Sequence, residues 1–233
     1  MITRTIPFDP RGLDMGEIYR GLGYGAAEPP QDVKDMVDEM IARIAEVCRP
    51  AYGYLVAASV GVERIGITAN GTRFITGSII AECLQQAEQL VIFVATAGVE
   101  YDRWLRDVHR TGDVWNMFLA DAIGSEVAEA AARAAADDIK SLAAGRGMWA
   151  SNSYSPGYCG WSVKEQQKLF AMLEPAPCGI TLTESSLMVP IKSISGFIAL
   201  GAKVEKMPYG CEICNRADCY KKIAQANART NAK

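Results

Sequence analysis

The sequence contains only one histidine, and this scarcity excludes several kinds of site. His109 lies in the charged segment Arg106–Arg110, so we expect its side chain to face solvent. A metal site that needs two histidine ligands cannot form within the chain, and Ser–His or Cys–His catalysis would depend on this one exposed residue. Histidine-based chemistry is therefore not expected.

Long apolar runs and clustered positive charge are also absent. No run approaches the roughly 20 apolar residues of a membrane-spanning helix, and Met1–Pro7 lacks the apolar core of a signal peptide. The formal net charge is −3, whereas binding to nucleic acid needs a clustered positive field. We therefore expect a cytoplasmic protein that binds neither membrane nor nucleic acid.

The pattern of apolar residues predicts helices and strands that do not alternate strictly. Three- and four-residue spacing over Asp32–Cys48 predicts an amphipathic helix, and the apolar run Leu90–Gly98 predicts a central strand buried on both faces. Asn70-Gly71 predicts a hairpin turn, and Asp113 can cap the longest helix. Ser162-Val-Lys-Glu165 has the pattern of a capping box before a short helix. These elements favour an α+β fold with a twisted antiparallel or mixed sheet and packed helices.

The stretch 153–197 carries most of the functional information. Two irregular turns rich in Ser, Gly and Pro, at Ser153–Trp161 and Thr181–Pro190, lie on either side of the short helix. Glycine in the first turn would let the backbone approach a ligand closely, and Tyr158 and Trp161 would offer aromatic faces beside it. From these residues alone, a surface loop between two core elements is the plainer interpretation.

The order of short motifs in this stretch resembles the reactivation domain of cobalamin-dependent methionine synthase, most closely the short free-standing members of that family. The matching positions are Pro156-Gly157-Tyr158, Thr183-Glu184-Ser185 and Ser193-Ile194-Ser195-Gly196. In the family, an Arg-x-x-x-Gly-Tyr-Pro turn holds S-adenosylmethionine against the corrin face of cobalamin. Here Ser153 stands in place of the arginine and Cys159 in place of the proline. The likeness also takes in 121–129 and covers most of the chain.

This resemblance implies a methionine synthase activation domain-like fold and an accessory role in the reductive reactivation of a cobalamin-dependent methyltransferase. The chain would dock at the corrin, an electron donor protein would reduce the cobalt, and S-adenosylmethionine would supply the methyl group that traps the product. The chain itself would supply position and electrostatics rather than act as an independent enzyme.

The resemblance also implies a set of cofactor-binding residues. These are Ser153, Ser155, Pro156, Gly157, Tyr158 and Glu184, together with a carboxylate from the long helix, Glu126 or Glu129. On the residues alone, these two helix carboxylates are equally consistent with solvated surface side chains.

The C-terminal tail differs in character from the rest of the chain, and we divide the sequence into a reactivation-like domain at 1–205 and a cysteine-containing tail at 206–233. Cys211, Cys214 and Cys219 have a Cys-x2-Cys-x4-Cys spacing, which is typical of thiolates that bind one ion. The alternative is a reduced tail whose cysteines bind nothing.

Three thiolates are one short of a closed tetrahedral zinc site or a four-cysteine iron–sulfur cluster. Cys159 or Cys178 could supply the fourth ligand by folding back, and Cys159 is favoured because it replaces the family's proline in the turn that would face cobalamin. Zinc or an iron–sulfur cluster is therefore predicted at the tail.

The missing arginine supports a competing hypothesis of another class. A bidentate guanidinium is the natural clamp for a ligand carboxylate, and the hydroxyl of Ser153 cannot replace its charge. The alternative function is a corrinoid-binding or metal/iron–sulfur redox adaptor that uses the tail cysteines and no S-adenosylmethionine.

Overall fold

A computed structural model describes residues 1–207 of the chain. The helices in this range are α1 (Met15–Gly21), α2 (Gln31–Val47), α3 (Ser78–Cys83), α4 (Val99–Arg110), α5 (Val114–Ala144) and α6 (Gln166–Met172). The strands are β1 (Ile2–Thr5), β2 (Ala51–Ala57), β3 (Val60–Glu63), β4 (Gly66–Ala69), β5 (Thr72–Phe74), β6 (Gln89–Thr96), β7 (Trp149–Tyr154), β8 (Thr181–Leu182), β9 (Met188–Val189) and β10 (Ser193–Gly201).

The main sheet has five strands in the order β1-β2-β6-β10-β7, and each of its pairings is antiparallel. β6 lies at its centre, with β2 on one side and β10 on the other. Every residue of β6 after Gln89 is buried, which confirms the predicted central strand. Small antiparallel sheets β3-β4-β5 and β8-β9 complete the strand pairings of the described part, and the α+β prediction is confirmed.

Helix α5 covers one face of the main sheet. The strand residues Tyr54, Phe93 and Ile198 pack there against the small side chains Ala131 and Ala135. Because alanine adds little bulk, the second half of α5 lies close to the strands. We call this the α5 side of the sheet.

The opposite face of the sheet carries an aromatic core beneath α3, α6 and the small sheet β3-β4-β5. The ring of Phe197 meets Phe74 edge-on at 4.9 Å between centroids and lies 4.6 Å from Trp161. Trp161 is only 1% exposed, so its ring belongs to this core. The prediction that Trp161 offers an aromatic face to a ligand is therefore wrong.

A third cluster of buried residues joins α1, α2, α4 and the first half of α5 beyond the end of the sheet. Gly124 permits the closest approach there, because a Cβ on it would lie 2.3 Å from the hydroxyl oxygen of Tyr101. The Tyr101 hydroxyl donates to the carbonyl of Ala120 at 2.5 Å. The lack of a side chain at Gly124 thus lets the ring of Tyr101 pack directly against α5.

Most predictions that were based on residues close together in the sequence are confirmed. Asn70 and Gly71 have φ angles of 46° and 84° and form the turn between β4 and β5. Asp113 accepts hydrogen bonds from the amides of Trp115 and Asn116 and so caps α5, which is 31 residues long. His109 is exposed, as expected.

The predicted capping box before α6 is wrong in its second half. Ser162 accepts a hydrogen bond from the amide of Lys164, but the carboxylate of Glu165 accepts from the amide of Ile75 at 2.9 Å. Glu165 therefore ties the start of α6 to the end of β5 instead of closing a cap on its own helix.

None of the helices within residues 1–207 is long and apolar enough to cross a membrane. The proposed boundary between residues 205 and 206 leaves only residues 206 and 207 of the tail within the described range. The division of the chain at that point remains a prediction.

Candidate functional site

Ser153 lies on strand β7, and its side chain is on the α5 side of the sheet. Ser153 pairs with Ile198, and residues opposite each other in an antiparallel pair share a face. Ile198 is buried beneath α5, so the exposed side chain of Ser153 lies on that side. Tyr154, the next residue, points to the opposite face and is buried in the aromatic core.

Gly196 on β10 leaves room for the residues at the end of β7. A Cβ on Gly196 would lie 2.4 Å from the carbonyl oxygen of Tyr154, 3.0 Å from the ring of Phe93 and 3.1 Å from the hydroxyl of Ser155. Because Phe93 belongs to the core on the α5 side, Ser155 lies on that side as well. Because Gly196 of the Ser-x-Ser-Gly motif has no side chain, the turn that follows β7 can begin close to β10.

That turn, residues 155–161, is held by its own backbone. The amide of Gly157 donates to the carbonyl of Trp161 at 2.7 Å, that of Trp161 to Tyr158 at 2.9 Å, and that of Tyr158 to Ser155 at 3.3 Å. Gly157 has a φ of 97°, a conformation that favours glycine. These three amides are therefore committed within the 155–161 turn and are not offered to a ligand.

The predicted ligand-binding residues of the 155–161 turn differ in exposure. Pro156 is buried and Ser155 is half-buried, whereas Gly157 is exposed. The Tyr158 side chain is 50% exposed. Tyr158 is thus the aromatic surface that the turn presents.

The two serines of the Ser-x-Ser-Gly motif have structural partners. The buried hydroxyl of Ser195 donates to Oε1 of Gln166 at 2.9 Å, and Nε2 of Gln166 donates to the carbonyl of Ser186 at 3.2 Å. The Ser193 hydroxyl lies 2.7 Å from the carbonyl of Pro190 and 2.9 Å from Oγ1 of Thr96. The motif therefore joins the sheet to α6 and to the β8–β9 hairpin.

The Thr-Glu-Ser motif forms the loop of the β8–β9 hairpin. The amide of Ser186 donates to the carbonyl of Thr183 at 2.9 Å, and Nε2 of Gln167 on α6 donates to the same carbonyl at 2.9 Å. Glu184 is exposed on this loop. Helix α6 follows the 155–161 turn and holds the hairpin, so it connects Glu184 to the turn through Gln167.

Helix α5 contacts the segment just before β10. Nζ of Lys192 lies 2.7 Å from a carboxylate oxygen of Asp121 and 2.9 Å from the hydroxyl of Ser125. Glu129 follows Ser125 by one helical turn on the same face and is exposed. Further along α5, Ala131 and Ala132 belong to the cluster that contains Ile198, so Glu129 lies along the helix between the contact with Lys192 and this cluster.

The other predicted carboxylate, Glu126, has a different environment. Its side chain is 3% exposed, and Oε1 accepts hydrogen bonds from the amide of Asp14 at 2.9 Å and from Arg133 at 2.6 Å. Glu126 therefore fastens the N-terminal segment to α5. Of the two carboxylates, exposure favours Glu129 as the one that can meet a ligand.

Three basic side chains have partners of their own. Lys192 is bound by Asp121, and its side chain is 12% exposed. Arg133 donates to Glu126 and also to the carbonyl of Gly12 at 2.9 Å. Arg146 donates to Gln89 at the start of β6. Lys164, three residues after the turn, is exposed and is the basic residue nearest to the turn in sequence.

Four cysteines fall within the described part of the chain. Burial raises the pKa of the Cys48 thiol to about 12 and that of Cys178 to about 11, which disfavours thiolate at either position. Cys83 and Cys159 are half-buried. The predicted ligands of the tail, Cys211, Cys214 and Cys219, lie outside the described residues. Within residues 1–207, no three His, Cys, Asp or Glu side chains are grouped as a metal site.

Sequence reasoning missed the polar role of α6. The side-chain amides of Gln166 and Gln167 both bind the β8–β9 hairpin, and Gln166 also binds Ser195. Two adjacent amides on a helix of 7 residues are the only sequence signal that could have indicated this.

Comparison with known proteins identifies the family and the fold. The family model for the activation domain of vitamin B12 dependent methionine synthase matches residues 70–221. No curated protein matches the chain at a significant level. A crystal structure of the MetH reactivation domain bound to AdoHcy is similar, with a TM-score of 0.65 and 15% sequence identity, over 90% of this chain and 81% of that one. At this identity the structural likeness shows the fold. The family match covers more than half of the sequence and includes the 155–161 turn, the β8–β9 hairpin and β10, so the chain belongs to the family of vitamin B12 dependent methionine synthase activation domains.

Proposed function

We propose that this chain takes part in the reductive reactivation of a cobalamin-dependent methyltransferase of the methionine synthase type, in the cytoplasm. Membership of the activation domain family supports this role. The structural observation that supports it is that Ser153 and Ser155 lie on the α5 side of the sheet, next to a turn that exposes Tyr158. The corrinoid belongs to the partner, and an electron donor protein supplies the reducing equivalent.

The residues around the turn suit the positively charged groups of S-adenosylmethionine better than its carboxylate. The exposed carboxylate of Glu129 complements a positively charged sulfonium or ammonium group, and the hydroxyls of Ser153 and Ser155 can donate hydrogen bonds. The arginine that would bind the ligand carboxylate is absent, and the nearby Lys192 is held by Asp121. When bound, S-adenosylmethionine supplies a methyl group, and the chain's own residues would orient it towards the corrin with modest affinity.

The test is the absorption spectrum of a Co(II) cobalamin-loaded methionine synthase, recorded under anaerobic conditions as this protein is added. We expect a saturable change in the corrin bands with the wild-type chain and a weaker one with Tyr158→Ala. Trp149→Ala is a matched control, because Trp149 is an exposed aromatic at the other end of β7 and is 69% exposed. No spectral change and no complex with either protein would contradict the proposal.

The second candidate is a redox adaptor that binds the corrinoid partner without S-adenosylmethionine. The observation that favours it is that Ser153 replaces the arginine of the family's turn, while Lys192 is held by Asp121. The two functions are separated by calorimetry: a protein that changes the corrin spectrum but releases no heat with S-adenosylmethionine is the adaptor.

A further inference from the structure

The outer surface of the β8–β9 hairpin is apolar. Leu187, Val189 and Ile191 alternate along the segment that contains β9, and they are 52%, 39% and 53% exposed. The residues between them face inward, because Pro190 is buried and Met188 packs against the aromatic core. A strand with one buried face ordinarily has polar side chains on its other face. Three large aliphatic side chains in a row on the outer face therefore indicate a contact surface.

These three aliphatic side chains, which we call the hairpin strip, lie in an uncharged segment. The sequence from Ser185 to Ile191 contains no acidic or basic residue. Across the hairpin, Val189 pairs with Thr181, which is exposed on the same face. A charged group buried against this strip would lose its hydration without gaining an ion pair. The strip therefore favours a partner surface that is itself apolar and uncharged.

Both ends of the hairpin strip adjoin residues of the candidate site. At one end, Leu187 belongs to the same hairpin loop as Glu184. At the other end, Ile191 is followed by Lys192, whose Nζ is bound to Asp121 on α5. The strip thus runs from the loop that carries the predicted ligand-binding carboxylate to the contact between β10 and α5.

Helix α5 adds two exposed aromatic side chains next to this second end. Phe118 precedes Asp121 by three residues, so the two side chains lie on the same face of the helix. The ring of Phe118 stacks on that of Trp115 at 6.1 Å between centroids, and the two residues are 41% and 43% exposed. We call Trp115 and Phe118 the aromatic pair. Accessible aromatic rings are enriched at the centres of protein interfaces, so the aromatic pair extends the apolar surface from the hairpin onto α5.

We propose that the hairpin strip and the aromatic pair form the surface on which the corrinoid-bearing module of the partner methyltransferase docks. This inference rests on the proposed function, in which a methyl donor held by this chain has to meet the cobalt of the partner. The partner must then lie over the candidate site and cover the apolar side chains that adjoin it. The corrin suits these side chains, because its ring is largely apolar and its edge carries uncharged amide groups. Their contact would also exclude water from the site.

The test is the affinity of the full chain for a cobalamin-loaded methionine synthase, measured by calorimetry under anaerobic conditions. Leu187→Asp and Phe118→Asp each place a charge in one half of the surface. Each should weaken binding by at least about tenfold, the loss typical of a residue near the centre of an interface. Ile65→Asp is the matched control, because Ile65 is 38% exposed in the turn between β3 and β4, and it should bind like the wild type.

Hydroxyl-radical footprinting of the wild-type chain keeps the proposal testable if a variant folds poorly. In the complex with the loaded methyltransferase, Leu187, Trp115 and Phe118 should be protected from oxidation, while the oxidation of Ile65 stays the same. Protection of Ile65 with no protection of the hairpin strip would place the interface elsewhere and overturn the proposal.

Failure of this inference can be told apart from failure of the proposed function. A wild-type chain that does not bind the loaded methyltransferase overturns both. If the wild type binds, and Leu187→Asp and Phe118→Asp bind equally well, only the docking surface is wrong. Sedimentation of the chain alone tests a second copy on this surface. A wild-type dimer that Leu187→Asp dissociates, with binding of the methyltransferase unchanged, would assign the surface to the second copy and overturn the proposal.

Discussion

A Cβ on Gly196 would lie 2.4 Å from the carbonyl oxygen of Tyr154. The glycine on β10 therefore determines how closely the end of β7 can approach, and with it where Ser155 and the rest of the turn lie. The same motif holds α6 through Ser195 and Gln166, so one short segment of β10 positions both the turn and the helix that follows it.

Gly196→Ala should therefore reduce the free energy of unfolding and displace the 155–161 turn. Inserting a methyl group against backbone costs about 1–3 kcal/mol. Urea denaturation measures this change, and the response of the corrin spectrum should weaken in parallel. Gly61→Ala is the control, because a Cβ there meets only Thr68, at 4.0 Å. Equal stability of the two variants would mean that the contact with Tyr154 is relieved by a small shift.

Substitution of Glu126 should mainly reduce the stability of the fold, whereas substitution of Glu129 should mainly reduce ligand binding. Glu126→Ala removes the acceptor of both the Asp14 amide and Arg133 and should lower the free energy of unfolding by about 1–3 kcal/mol. Glu129→Ala should change it by less than about 0.5 kcal/mol, because Glu129 is exposed.

Binding of S-adenosylmethionine should show the reverse order. Glu129→Ala should weaken it by about two- to fivefold, the range of an exposed ion pair. The loss should be smaller for S-adenosylhomocysteine, which lacks the sulfonium charge. Calorimetry of both ligands with both variants decides the matter, and equal losses in the two variants would contradict the assignment of Glu129.

Alkaline pH should destabilise the protein through its buried thiols. The folded pKa of Cys48 is raised from 9.0 to about 12 by burial, so above pH 9 the unfolded thiol ionises while the folded one stays protonated. Its contribution to stability is complete below pH 9 and is lost as the pH rises towards 12. The free energy of unfolding should fall by up to about 1.4 kcal/mol per pH unit for each such thiol.

Cys48→Ser tests this dependence, because a serine hydroxyl does not titrate in this range. Urea denaturation between pH 8 and 10 should give a smaller slope for the variant than for the wild type, whatever the absolute stabilities. Cys178→Ser should also reduce the slope, since burial raises the pKa of that thiol to about 11. If the free energy of unfolding has the same dependence on pH in all three proteins, neither thiol causes the loss of stability at alkaline pH.

The features that were predicted correctly from sequence are those set by neighbouring residues. The apolar run of β6, the Asn70-Gly71 turn and the Asp113 cap depend on residues within a few positions of each other, so local patterns contain the information. The arrangement of the site depends on distant partners. Glu126 binds an amide 112 positions away, and Ser195 binds a side chain 29 positions away.

Burial explains the remaining errors about the site. Trp161 has the same local signal as Tyr158, an aromatic beside glycine, but packing against Phe197 removes its ring from the surface. Glu165 has the spacing of a capping residue, but the amide of Ile75 lies within its reach. In both cases a tertiary partner that no local pattern encodes determines the role of the side chain.

Ser153→Arg should restore the binding of a ligand carboxylate. Ser153 is exposed near the end of β7, on the α5 side of the sheet, so an arginine there can reach a ligand on that side without entering the core. Hydrogen bonds to charged groups contribute about 1.5–3 kcal/mol, so affinity for S-adenosylmethionine should rise roughly 10- to 100-fold. Affinity for methylthioadenosine, which has no carboxylate, should stay unchanged. Ser59→Arg adds the same charge just after the end of β2, which is three strands away from β7 in the sheet, and should affect neither ligand. If Ser153→Arg strengthens both ligands equally, the gain comes from general electrostatics, and the carboxylate of the ligand does not lie beside position 153.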